Sequence, residues 1–214
     1  MVYRTARPGM SARSRLAVGI SGASGVIIGI RLLEALKDLG IETHVVITPA
    51  AEVTLGCETS WKIASVKALA ARCYAADDMA APIASGSFQT MGMAIAPCSM
   101  RSLAEIANGA TTTLLTRAAD VTLKERRRLV LLPRETPLHS GHLRNMLVVS
   151  ELGGIIAPPV PAFYAKPESI EDLVDHTVGR VLDLFGLDTG NVERWREGRR
   201  KGAAIRVVGG NKSD

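Results

Sequence analysis

Aromatic residues make up only 4% of this 214-residue chain, although its hydrophobic content is 47%. Its core must therefore be aliphatic, and the length fits a single domain of full size. No apolar run approaches the ~20 residues needed to cross a bilayer, which excludes a membrane span by helix. Cysteine is scarce: Cys57, Cys73 and Cys98 lie far apart, without the paired spacing of zinc or redox motifs. The N-terminal arginines have no apolar segment behind them, so they do not form a secretory signal. An odd cysteine count without an export signal points to the cytoplasm. A metal site is not expected, because His139-Ser-Gly-His142 offers two ligands three apart and no recognisable third. Asp77-Asp78 reads as a solvated turn, and Cys98 as a buried small residue rather than a nucleophile.

A basic patch on the folded body is also missing. The formal charge is +5, but residues 1–15 carry four arginines and no acid, and residues 193–214 carry seven basic and three acidic residues. Of the 26 basic and 21 acidic residues, 15 and 18 remain between these ends. A nucleic-acid binder concentrates positive charge on its folded surface, so nucleic-acid binding is not expected. The chain is expected to divide into a basic, disordered N-terminal arm (1–14), a folded domain (15–190) and a basic C-terminal tail (191–214).

What is present is a strand, a glycine-rich turn and a helix. Leu16, Ala17, Val18 and Ile20 make an apolar run of strand length. Gly19, Gly22 and Gly25 follow at intervals of three, with Ser21 and Ser24 between them. From Gly25 to Leu39 the period becomes helical, closing at Gly40. Such a turn points backbone N–H groups and a helix dipole at an anion. The second strand, Thr43 to Ile47, ends in Thr48-Pro49, a helix cap and first-turn proline. Dinucleotide sites place an acid there for the ribose, so NAD is disfavoured and a mononucleotide stays open.

Strand and helix then alternate. Residues 50–58 read as a short helix with Glu52 and Glu58, and Lys62 to Ala71 as a weak one. A strand over Gly92 to Ala96 runs into Pro97-Cys98-Ser99-Met100-Arg101-Ser102, a second polar turn opening a helix. A helix is expected from Thr112 to Arg127, and a strand from Leu129 to Leu132 stops at Pro133-Arg134-Glu135-Thr136-Pro137. Helix is expected over His142 to Leu152, strand over Ile155 to Ala157 and extended chain over Pro158 to Tyr164. Ser169-Ile-Glu-Asp172 opens the final helix, ending near Gly186. The predicted fold is three-layer α/β/α, Rossmann-like (flavodoxin-like), with a mainly parallel sheet in a single domain.

Six motifs carry a resemblance: Gly19-Ile-Ser-Gly-Ala-Ser-Gly25, Pro97-Cys-Ser99, Arg117-Ala-Ala-Asp120, Leu123-Lys-Glu-Arg126, Pro133-Arg-Glu135 and Pro161-Ala-Phe-Tyr164. In this order, over about Arg15 to Trp195, the chain resembles the UbiX-type flavin prenyltransferases, a family of homo-oligomeric flavoproteins that also contains cysteine decarboxylases. The resemblance implies transfer of a dimethylallyl group from dimethylallyl monophosphate to reduced FMN without metal. The product would be prenylated FMN for a UbiD-type decarboxylase. It further implies a dodecamer with sites shared between subunits. Carried over by position, Gly22, Ala23, Ser24, Thr48, Ser99, Met100, Arg101, Ser102, Arg117 and Arg134 resemble flavin contacts. Lys124, Tyr164 and Arg180 resemble the grip on the prenyl phosphate, and Ser24, Glu58, Lys124 and Glu135 the catalytic set. Met79 stands where some members have a tryptophan beside the prenyl pocket.

Two rivals differ in class. A cysteine decarboxylase of the same fold tends to have Pro-Ala-Ser-Ala-Asn-Thr where this chain has Pro97-Cys-Ser-Met-Arg-Ser102. A non-catalytic flavin carrier would not need a second phosphate site such as Lys124, Tyr164 and Arg180.

Overall fold

The computed structural model describes residues 15–188, so the basic arm and tail expected at 1–14 and 191–214 lie outside the described residues. The inner strands are buried almost throughout because they are covered on both sides, as parallel sheets require. The strands are β1 (Arg15–Ile20), β2 (Glu42–Ile47), β3 (Arg72–Tyr74), β4 (Gly92–Cys98), β5 (Arg128–Pro133) and β6 (Ile155–Ile156). All pairings are parallel, in the order β3-β2-β1-β4-β5-β6. Of the two common doubly wound orders, this is the Rossmann one. Its direction reverses between β1 and β4, so a crevice opens at their C-terminal ends.

Alternate residues of each strand serve opposite cores. Leu16, Val18, Ile20, Val45 and Val130 pack under α1 (Val26–Asp38), α2 (Pro49–Glu58), α3 (Ile63–Lys67) and α7 (Ile170–Leu184). Ala17, Val46, Met93, Ile95 and Leu131 pack under α4 (Met100–Ala107), α5 (Leu114–Lys124) and α6 (Ser140–Glu151). This period of two yields the expected three layers.

The weak helix expected at 62–71 is only the five-residue α3, and β3 follows it at the sheet edge. Three residues, Arg-Cys-Tyr, are too short to show a strand period. β4 continues past Ala96 through Pro97 to Cys98, with a cis peptide before Pro97. The expected helix 112–127 contracts to α5, capped by Thr113 and followed by Arg126 at φ 56°. Helix α6 begins two residues earlier than expected because the His139 ring caps it, Nδ1 accepting from the amides of Gly141 and His142. The two imidazoles stack, with centroids 3.6 Å apart. With Nδ1 engaged as a cap, His139 marks the start of α6. The segment 158–164, expected to be extended, ends in a short 3-10 turn at Phe163–Ala165. The capping box of Ser169 and Asp172 at α7 is present as expected.

Candidate active site

At the switch point, one buried hydroxyl joins the two polar turns. Ser21 Oγ donates to the Pro97 carbonyl at 2.9 Å and accepts from the Ser99 amide at 2.7 Å, while the Ser21 amide also reaches the Pro97 carbonyl. Ser99 in turn caps α4, its Oγ accepting from the Ser102 amide. The first amides of α4, at Met100 and Arg101, have no intrahelical acceptor by helix geometry. Arg134 enters from the neighbouring strand, its amide bonded to the Cys98 carbonyl. Thr48 caps α2 beside β1, its own amide bonded to the Ile20 carbonyl. Gly22 is required by close approach: a Cβ there would lie 2.4 Å from that of Ala50. Gly25, at φ 94°, turns the chain into α1.

Glu58 is drawn into this crevice from the end of α2. Its Oε2 accepts from the amides of Gly25 (2.9 Å) and Val26 (3.2 Å), so the chain's own carboxylate sits on the α1 N-terminus. The sequence suggested an anion site there for a ligand. That corner is instead filled by Glu58, and the α4 first turn with Ser99 and Arg134 remains the donor set suited to a phosphate. Burial works to raise the Glu58 pKa. Hydrogen bonds from Ser24, Gly25 and Val26, with the Arg134 charge, outweigh it and hold the carboxyl below its usual range. Glu58 is therefore an ionised base beside Ser24 at neutral pH. Glu135, exposed as Glu58 is, accepts from the Thr136 amide in its own turn.

The remaining expected residues lie elsewhere in the chain. Lys124 ends α5 just before β5, whereas Arg134 follows the C-terminal end of that strand. Six residues of strand separate the two ends, about 20 Å at ~3.3 Å each. Lys124 Nζ pairs with Glu125 at 2.5 Å, against Gly86. Arg117 holds the Ala84 carbonyl and Asp120 rather than either switch-point turn. Arg127 binds the carbonyls of Gly86 and Phe88, so α5 and its C-terminal turn fasten the segment 84–88. Met79 is exposed in the turn after β3.

Tyr164 and Arg180 meet across a third region, a cavity of about 290 Å³ lined also by Pro158, Pro159, Val160 and His176. No switch-point turn contributes to its lining. Cationic and phenolic donors face an apolar wall there, which suits a small amphipathic anion.

Sequence reasoning missed two participants. Ser21 has no role assigned by its own motif, since the value of its hydroxyl depends on a strand 76 residues away. His176 had no motif, and only its spacing of four from Arg180 hinted at a common helix face. Cys98 is fully buried with its thiol pushed up to about 12 by burial, which suits packing and not attack. Among the described residues, no three His, Cys, Asp or Glu side chains could hold a metal, and no helix is long and apolar enough to cross a membrane.

The chain matches the Flavoprotein family over residues 4–182. It is 57% identical over 174 residues to the flavin prenyltransferase UbiX of Escherichia coli strain K12, covering 81% of this chain and 92% of that protein. It also resembles the crystal structure of AnUbiX (PadA1) in complex with FMN and dimethylallyl pyrophosphate. The TM-score is 0.85 and the identity 54%, with 86% of this chain and 98% of that one covered. A dodecameric FMN-dependent Ubix-like decarboxylase from Escherichia coli O157:H7 superposes with a TM-score of 0.84 at 48% identity, covering 85% and 99% of the two chains.

Proposed function

The chain belongs to the Flavoprotein family and, within it, to the UbiX-type flavin prenyltransferases, and from that membership we propose that it joins the dimethylallyl group of dimethylallyl monophosphate to N5 and C6 of reduced FMN. The product is prenylated FMN for a UbiD-type decarboxylase. The observation that carries this reading is the switch-point constellation, in which Ser21 clamps two turns around Ser24, Glu58, Ser99 and Arg134. FMN fits that donor set: the α4 first turn and Arg134 suit its phosphate, and the backbone at Gly22 can lie close to its ring.

Reduced FMN supplies two nucleophilic positions, and the allylic C–O bond breaks as phosphate leaves. Negative charge then grows on the departing oxygen. Arg180 offers it a planar fork, Lys124 a compact charge and Tyr164 a hydroxyl, so side chains do what a divalent cation does for other allylic phosphates. Glu58, ionised and hydrogen-bonded to Ser24, takes the C6 proton as the second bond forms, while the prenyl double bond that closes onto C6 takes up the proton released from N5. The aliphatic wall of the Tyr164–Arg180 cavity keeps water from the allylic cation.

Within one chain, the flavin turns, Lys124 and the Tyr164–Arg180 cavity occupy three separate regions. A working site therefore takes them from different copies, which supports a homo-oligomer of dodecameric size with sites at subunit contacts. Exposed Leu138, Leu143 and Leu147 on and before α6 are apolar surface of the kind such contacts cover.

The test is anaerobic incubation with reduced FMN and dimethylallyl monophosphate, followed by mass spectrometry of the flavin. A flavin heavier by one prenyl unit is expected. An unaltered flavin that stays tightly bound would mean a carrier, and loss of carbon dioxide from a cysteine-ended peptide would mean the decarboxylase reading.

A further inference from the structure

His176 and Arg180 lie four residues apart on α7 and face the same cavity as Tyr164. The His176 and Tyr164 rings meet edge to face, with centroids 5.8 Å apart and planes at 83°. The Tyr164 hydroxyl lies 3.4 Å from His176 Nε2, a long hydrogen bond of the kind that tightens when a site fills. Arg180 directs one N–H of its five to Asp183 and keeps the others for a second acceptor.

A phenol has a single proton. If Tyr164 donated it to His176, only oxygen lone pairs would face an anion in the cavity, and the contact would repel. If His176 Nε2–H donates to the phenol oxygen, the Tyr164 hydroxyl can turn its proton toward the anion and is polarised toward it. Only the second arrangement suits a phosphate beside Arg180.

We propose that His176 is a positioning residue of the prenyl-phosphate subsite, donating from Nε2 to the Tyr164 oxygen so that the Tyr164 hydroxyl donates to the phosphate held by Arg180. This rests on the reading of the Tyr164–Arg180 cavity as the phosphate subsite. No bond to His176 forms or breaks in the reaction. Its effect is on donor-substrate affinity and passes through Tyr164.

The experiment compares wild type, His176→Phe, His176→Gln, Tyr164→Phe, Arg180→Ala and the double variant His176→Phe/Tyr164→Phe as FMN-loaded oligomers, reading KM for dimethylallyl monophosphate, kcat and FMN affinity. His176→Phe keeps a ring against Tyr164 and removes the donor. It should raise KM about threefold to tenfold, the range of one lost hydrogen bond, with FMN affinity unchanged. His176→Gln retains an N–H and should recover part of the loss. In the Tyr164→Phe background, His176→Phe should add nothing, since its route is already gone. A normal KM in His176→Phe while Arg180→Ala raises KM makes His176 a packing residue and overturns the inference. Additive losses in the double variant overturn it too. A normal KM in Arg180→Ala would instead remove the phosphate reading of the cavity itself.

Discussion

Replacing Ser21 with alanine removes one oxygen atom and disconnects two turns. The hydroxyl donates to the Pro97 carbonyl and receives the Ser99 amide, in a place with 1% exposure. Alanine leaves no void of consequence, so the cost is polar. An amide stripped of its acceptor in a largely closed site costs about 1–3 kcal/mol, which exceeds the net value of an ordinary hydrogen bond. A central figure of about 2 kcal/mol lowers the melting temperature by roughly 4–8 °C in a domain of this size. Ser99 also caps α4, so its turn should drift from the geometry that the flavin phosphate needs. We expect FMN affinity to fall about tenfold, equivalent to about 1.4 kcal/mol. Guanidinium unfolding of the FMN-free protein gives the first quantity and fluorescence titration with FMN the second. Ser21→Thr keeps the hydroxyl and should recover much of both. Should Ser21→Ala match wild type in stability and in flavin affinity, the two turns do not depend on this clamp.

Three further outcomes follow from the site and its surroundings. Lys124→Ala should slow single-turnover prenylation by about 10²–10³, the usual cost of losing a donor to transition-state charge, and leave FMN affinity intact; Lys124→Arg should recover only part. The Lys124–Glu125 pair is half exposed and contributes little to folding, so a normal rate on folded protein would make Lys124 structural. Glu58→Gln should reduce turnover by about 10² or more as a base is lost. The native Glu58 pKa is depressed, so its stabilisation is present above the ordinary carboxylate value and lost as pH falls through the native one; acid titration of unfolding should show this limb in wild type and not in Glu58→Gln. His44 is lowered chiefly by burial, assisted by Arg15 and Arg72 and opposed by Glu42, while Nδ1 shares a 2.8 Å hydrogen bond with Tyr74. Its unfolded form takes a proton near ~6.5 and its folded form resists, so stability should decline as pH drops below that value, and His44→Gln should flatten the decline.

The fold was legible where residues act locally. The apolar run of β1, the caps Thr48, Ser99 and Ser169, and the glycines that follow α1, α4, α6 and α7 all announce themselves within a few positions. β3 did not, because three residues at a sheet edge take their strand form from β2 beside them. The site proposal rests on motif resemblance, which singles out Ser24, Glu58, Arg134, Lys124 and Tyr164 without saying which of them meet. Glu58 illustrates the gap: nothing near it in sequence predicts that it closes the α1 N-terminus 33 residues away. The proposed division of the site was equally hidden, because it depends on strand direction, which puts Lys124 before β5 and Arg134 after it.

That division is the central claim, and mixed oligomers test it most directly. Glu58→Gln damages the flavin crevice and Lys124→Ala the donor end, and each alone should yield an oligomer with little activity. If every site draws these residues from different copies, co-expression at equal dose leaves about a quarter of sites with both intact. Prenylated FMN should then be made at about that fraction of the wild-type rate. If mixed oligomers form, bind FMN and stay as inactive as their parents, each site is built from one chain and the account is wrong.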